Sequence, residues 1–215
     1  MSGHFNYLHS HHDFFLKNGE KIIVKKGRYI SNYFDESKWV YFLESGIVRV
    51  SFGTHSGDDR LIGYFLAGMT FARNGSFFEL ENDGLEYCAH TQAVLYRLPN
   101  EVFIKQLQKD PEFNADYTNS VLKNQIYLIA RIVYQGEPNA ERRFYEWLKF
   151  MIRFYGKHTD GGVVIEPQVT QYDIANFLHI TRVSTNKIVR KYIAKGYISV
   201  ANKTITVHDT LLKLP

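Results

Sequence analysis

The sequence predicts an α+β chain built in three parts: an N-terminal antiparallel β-roll, a long helix and a C-terminal winged helix-turn-helix. Three observations predict it. From Lys21 to Tyr96 short alternating runs are broken by turns. After Pro99 the apolar period becomes helical. Residues 170–190 then carry two short helical patterns around a tight turn, followed by a glycine and two β-branched runs. Many short strands at even spacing indicate a sandwich or roll. A helix, turn, helix and β-wing in succession form a unit that lays one helix in a DNA major groove.

Residues 1–18 are His-rich and weakly patterned, and no element is assigned there. Residues 21–25 alternate loosely and stop at Gly27. Residues 39–43 form a β-rich run closed by Glu44-Ser45-Gly46. Residues 47–52 alternate up to a Ser56-Gly57-Asp58 turn, and 61–66 form a further strand stopped by Ala67-Gly68. Residues 85–98 read as an alternating pair ended by Pro99. A short helix is expected over 100–108. Asp110-Pro111 starts a longer one running to about Gln135, and Gln135-Gly136-Glu137-Pro138 breaks it. Asn139 caps an amphipathic helix ending near Gly156, and 163–165 is a short strand. This divides the chain into a sensor roll (1–108), a dimerisation helix with hinge (109–136) and a DNA-binding domain (137–215).

On the long helix Val121, Gln125, Leu128 and Ile132 step by four, three and four. Such an a/d seam marks a helix that packs along a partner helix, here a second copy of the chain. In the C-terminal segment Thr170 can cap the first helix, with Asp173 completing an imperfect capping box. Ile174, Ala175 and Leu178 share a face. Thr181 can cap the second helix, whose buried stripe is Ile188, Val189 and Tyr192. Its other side carries Arg182, Val183, Asn186, Lys187 and Arg190. A face that is merely solvated mixes both charge signs, whereas this one has three cations and no carboxylate. An Arg near the start of such a helix bonds guanine O6 and N7 together, Asn pairs with adenine N6 and N7, and Val offers only apolar contact to a thymine methyl.

Composition narrows the function. The chain has 215 residues, a formal net charge of +4 and a pI near 9.0, a basic excess too modest to identify a nucleic-acid binder by itself. The excess is gathered, however, at Arg182, Lys187, Arg190, Lys191, Lys195 and Lys203. A single cysteine, Cys88, excludes a disulfide framework, a zinc ribbon and a four-cysteine iron–sulfur site within one chain. Its alternating context predicts a buried small apolar residue. No leader or membrane-spanning stretch is visible, so a cytoplasmic location is expected. No nucleophile elbow, phosphate loop, HExxH run or cysteine pair points to an enzyme.

The order of these parts resembles the Crp/Fnr family of bacterial transcription regulators over nearly the whole chain. The stretches that carry the likeness are residues 40–50 (VYFLESGIVRV), 139–143 (NAERR) and 203–207 (KTITV). The resemblance implies a cyclic-nucleotide-binding-like jelly roll, a homodimer on a pseudo-palindromic site of double-stranded DNA, and RNA polymerase as a partner. It implies that Arg182 reads a guanine, with Lys187 as a second basic contact. Where relatives commonly carry Glu, this chain has Val183, which implies a changed half-site. Thr170, Tyr172 and Lys203 stand where relatives touch phosphates. His179 replaces the usual turn glycine, a position His tolerates at positive φ.

The same likeness argues against cyclic AMP. An ungapped match places Arg73 where relatives carry the ribose-binding Glu, and Asp83-Gly84 where they carry the Arg-Ser pair for the cyclic phosphate. Leu128 and Ile129 replace the polar residues that meet adenine. The expected effector is therefore an unknown small molecule, acidic or aromatic, in a pocket lined by Phe71, Leu128 and Ile129, with Arg73 as a carboxylate anchor. Two alternatives stand beside it. One is a constitutive DNA-binding protein with no effector. The other is a haem- or metal-dependent redox sensor using His4, His9, His11, His12 or His90. No cofactor and no metal site is assigned.

Overall fold

The computed structural model describes residues 9–30, 39–53, 59–72 and 85–212. They fall into two compact units, and the division lies between Lys123 and Asn124, inside the long helix.

The first unit is the roll. Its strands are β1 (Glu20–Val24), β2 (Trp39–Ser45), β3 (Ile47–Gly53), β4 (Asp59–Leu66), β5 (Thr70–Ala72), β6 (Leu85–Ala89) and β7 (Ala93–Pro99). They form two antiparallel sheets, ordered β1-β7-β2-β5 and β4-β3-β6. The alternating pair read at 85–98 is thus split between the sheets: β6 pairs with β3, and β7 with β1 and β2. The β2–β3 turn depends on Gly46, at φ +93°, where a Cβ would collide with the backbone of Gln92. The Ser56-Gly57-Asp58 turn, Arg73, Asp83, Gly84 and His4 lie outside the described residues.

Strand β2 is buried on both faces, which explains its unbroken apolar run. Successive side chains point to opposite faces. Tyr41 and Leu43 enter a core shared with Val48, Val50, Phe71, Tyr87 and Leu95. Val40 and Phe42 enter a second core with Phe15, Leu98, Phe103 and Phe113. That second core is roofed by three helices: α1 (His9–Asn18), α2 (Asn100–Lys109) and the start of α3 (Pro111–Gln135). Helix α1 is a correction over residues 9–18, which read as weakly patterned with no element assigned. Phe14 and Phe15 pack against Phe42 and Phe113, and only the roll supplies those partners. Strand β5 was also not expected. Cys88 is half-buried, not fully buried: it stands on β6, an edge strand of its sheet.

The second unit comprises the end of α3 and helices α4 (Ala140–Tyr155), α5 (Gln171–Leu178), α6 (Arg182–Ala194) and α7 (Asp209–Leu212). They pack with a sheet ordered β10-β11-β9-β8, formed by β8 (Gly156–Thr159), β9 (Gly162–Ile165), β10 (Ile198–Ala201) and β11 (Thr204–Val207). Strand β8 is an addition to the expected elements. Its charged and polar residues are exposed, and it is held by pairing with β9 rather than by an apolar pattern. Phe144, Trp147, Leu148 and Met151 of α4 form the centre of this core, with Phe177 and Tyr192 against them.

Candidate nucleic-acid interface

Local chemistry sets both helices of the helix-turn-helix. At the start of α5 the capping box is complete. The Thr170 hydroxyl accepts from the Asp173 amide at 3.1 Å, and the Asp173 carboxylate accepts from the Thr170 amide at 2.9 Å. At its end His179 adopts φ 52°, ψ 45°. The amides of His179 and Ile180 bond back to the carbonyls of Asn176 and Ala175, a left-handed stop built without glycine. Thr181 caps α6 by accepting from the Ser184 amide at 3.1 Å.

Helix α6 buries Thr185, Ile188, Val189 and Tyr192. Burial pushes the Tyr192 hydroxyl up to about 12, so it stays a neutral packing group. The opposite side leaves Arg182, Val183, Lys187 and Arg190 exposed and Asn186 half-exposed, with Val183 at 79%. The Arg182 guanidinium lies over the Tyr172 ring, 4.6 Å from its centroid. Tyr172 itself is 37% exposed on α5. Sequence reasoning did not pair these residues, which are ten positions apart and meet across the turn.

The wing is a two-residue hairpin with Ala201 paired to Thr204. Asn202 and Lys203 both have positive φ, at 49° and 65°, the primed turn that strand twist favours. Lysine seldom adopts this conformation. Here its carbonyl is held by the Val169 amide at 2.8 Å, which ties the wing tip to the residue before Thr170. Thr170, Tyr172 and Lys203 therefore sit at the α5 start and the wing tip.

A second network escaped sequence reasoning. Arg143 of α4 donates to three backbone carbonyls: Glu137 at 2.7 Å, Leu178 at 2.6 Å and Pro138 at 3.3 Å. Gln135, the last residue of α3, donates to the Phe177 carbonyl at 3.3 Å and contacts His179 Nε2 at 3.2 Å. The junction of α3 and α4 is thereby bonded to the turn of the helix-turn-helix. An open cleft of about 520 Å³ borders Glu137, Arg142, Tyr145, Tyr192 and Lys195. Its Arg142 is paired with Glu137.

On α3 the residues expected to form a seam, Val121, Gln125, Leu128 and Ile132, are all exposed. A parallel row beside them is wholly apolar and also exposed: Leu122, Ile126, Ile129 and Val133. The other side of the helix end packs inward. Tyr127 accepts from the Tyr155 hydroxyl at 2.9 Å, Tyr134 is buried, and Arg131 lies over Phe177 at 5.2 Å. Burial raises the Tyr127 and Tyr134 hydroxyls far above the usual phenol range.

The four expected effector residues are placed as follows. Phe71 is buried in the roll core, stacked 5.4 Å from Tyr41 and 5.3 Å from Tyr87. Leu128 and Ile129 are exposed on α3, and Arg73 lies outside the described residues. His11 is fully buried, and both ring nitrogens are engaged. Nε2 donates to the Phe113 carbonyl at 3.1 Å, which leaves Nδ1 to accept from the Thr70 hydroxyl at 3.3 Å. No group of three His, Cys, Asp or Glu suited to a metal occurs among the described residues. No described helix is long and apolar enough to cross a membrane.

Residues 142–211 match the family model described as a Crp-like helix-turn-helix domain. The chain is 22% identical over 210 residues to the lactate racemization regulatory protein of Lactiplantibacillus plantarum, covering 95% of this chain and 91% of that protein. Its fold is similar to that of a cyclic nucleotide-binding domain containing protein from Listeria monocytogenes, with a TM-score of 0.78 at 12% identity, over 95% of this chain and 99% of the other. It is also similar to a CooA variant from Carboxydothermus hydrogenoformans, with a TM-score of 0.77 at 17% identity, over 98% and 95%. Residues 142–211 thus carry a Crp-like helix-turn-helix domain, in a chain similar along nearly its whole length to Crp/Fnr-type DNA-binding transcription regulators.

Proposed function

We propose that this regulator works as a homodimer that reads a pseudo-palindromic DNA site with α6, under the control of a small-molecule effector other than cyclic AMP. The observation that carries the reading is the exposed side of α6, where Arg182, Lys187 and Arg190 stand with Val183 and Asn186 and no carboxylate interrupts them. Arg182 reads a guanine, Asn186 an adenine and Val183 a thymine methyl, while Lys187 and Arg190 supply the remaining positive charge. Thr170 and Lys203, at the α5 start and the wing tip, contact the flanking phosphates. Two copies pair through the exposed apolar rows of α3, because a strip of this extent on a helix calls for a partner. The effector acts by population shift, changing the seam or the hinge around Gly136 and Pro138 and so the separation of the two reading helices. RNA polymerase is the downstream partner.

Selection of duplexes from random DNA by the purified protein tests this reading. Enrichment of an inverted repeat with half-sites about one helical turn apart supports a dimeric regulator. Failure to enrich any sequence, with and without cell extract, overturns it. A second reading, a regulator that needs no effector, is favoured by the Tyr41–Phe71–Tyr87 stack, which fills the roll where an effector residue was expected. Equal operator affinity with and without small-molecule extract selects that reading.

A further inference from the structure

We propose that Tyr172 is a specificity-determining positioning residue: its ring is the platform that holds the Arg182 guanidinium for base reading. The inference rests on the reading function of α6 proposed above, and it gives Tyr172 a role different from the phosphate contact its position first suggests.

Both partners stand on rigid supports. Tyr172 is the second residue of α5, inside the complete capping box that runs from Thr170 to Asp173, and Arg182 is the first residue of α6, next to its Thr181 cap. The turn between them is locked by the His179 and Ile180 amides. The ring beneath Arg182 is thus fixed by backbone bonds and has only two side-chain torsions of its own. A guanidinium is planar and carries its five N–H donors in that plane. A ring that faces it attracts the cation through its quadrupole and occupies none of those donors. A carboxylate in the same place would consume the fork that guanine O6 and N7 require, and among the described residues Arg182 has no carboxylate partner. A freely rotating arginine loses its rotamer freedom on binding, whereas one already stacked has less to lose. The contact therefore aids base reading without touching a base.

The ring and the hydroxyl of Tyr172 make separable predictions. Full-length wild type, Tyr172→Phe, Tyr172→Leu, Arg182→Ala and the Tyr172→Leu/Arg182→Ala double variant are titrated against the selected operator. They are also titrated against operators altered at the base pair whose preference disappears in Arg182→Ala. The platform predicts that Tyr172→Phe keeps the wild-type preference. Tyr172→Leu loses on the order of tenfold of it at that base pair alone, with an unchanged salt slope, and the loss vanishes in the Arg182→Ala background. A phosphate role predicts the reverse: Tyr172→Phe and Tyr172→Leu weaken all sequences alike, and that result overturns the proposal. A Tyr172→Leu loss that persists in the double variant overturns it as well. If Arg182→Ala leaves every preference intact, Arg182 is no reader and the platform falls while the regulator stands. If the wild type prefers no sequence, the reading function itself fails. Thermal melts of each variant separate these results from unfolding.

Discussion

At His11 the ring is neutral because burial disfavours the imidazolium, lowering its pKa below the ordinary 6.5 against the opposing pull of the Phe113 carbonyl and Asp116. Phe103, Phe113 and Tyr117 surround it on the helix side and Thr70 on the sheet side. Above pH 6.5 folded and unfolded chains both hold the ring neutral, and its contribution to stability is complete. As pH falls through 6.5 the unfolded chain takes up a proton that the folded chain refuses. Stability then declines by up to about 1.4 kcal/mol per pH unit until the folded pKa is passed. His11→Gln is expected to flatten this part of the curve in denaturation measured at a series of pH values, and an unchanged slope would assign the titration to another group. At the reading face Arg182→Ala is expected to remove roughly 1–3 kcal/mol of base discrimination, measured as the ratio of operator to mutant-operator affinity. The caps at Thr170, Asn139 and Thr181 were legible because each is a local pairing of a side chain with an amide two or three residues on. The stacking of Arg182 on Tyr172 was not, since it depends on the angle between two helices.

Helix α3 shows what a repeat can and cannot specify. The four-three-four spacing was visible at Val121, Gln125, Leu128 and Ile132, but it recurs one residue later at Leu122, Ile126, Ile129 and Val133. Exposure of both rows, 68% at Ile132 and 70% at Val133, makes the apolar strip two residues wide. A carboxylate there would be buried in the proposed dimer without a partner. Ile129→Asp is therefore expected to shift the protein from dimer to monomer in sedimentation, whereas a wild type that is already monomeric would refute the seam. On α4, Arg143 replaced by Lys leaves at least one of the Glu137, Pro138 and Leu178 carbonyls without its donor, since an ammonium cannot match the fork. The expected loss is about 2 kcal/mol in thermal unfolding of the DNA-binding unit. No sequence pattern announced this clasp, because its acceptors are backbone atoms that carry no residue identity.

For the whole molecule the prediction concerns ionic strength and spacing. Phosphate neutralisation releases counterions, so operator affinity falls with salt at a slope set by the number of phosphates met. Lys203→Gln is expected to reduce that slope by about one for each half-site engaged, with base preference unchanged. A dimer with both wings engaged therefore loses about twice what a single head loses. Titrations of full and half operators over a range of salt concentrations distinguish the two. A drop in base preference instead would move Lys203 from positioning to reading.

The sequence alone determined the order of the parts, the two helices of the reading unit with their caps and left-handed turn, and the sign of the charge on α6. These are short-range properties, set by side-chain periodicity and by groups within one helical turn of each other. Tertiary structure decided the rest. It made α1 a helix by supplying Phe42 and Phe113 for its phenylalanines, and it paired β8 to β9 without an apolar pattern. It also sent β6 and β7 to different sheets, filled the roll with Phe71, and stacked Arg182 on Tyr172. Each of these joins residues distant along the chain, and their pairing is settled only when the competing surfaces are buried together.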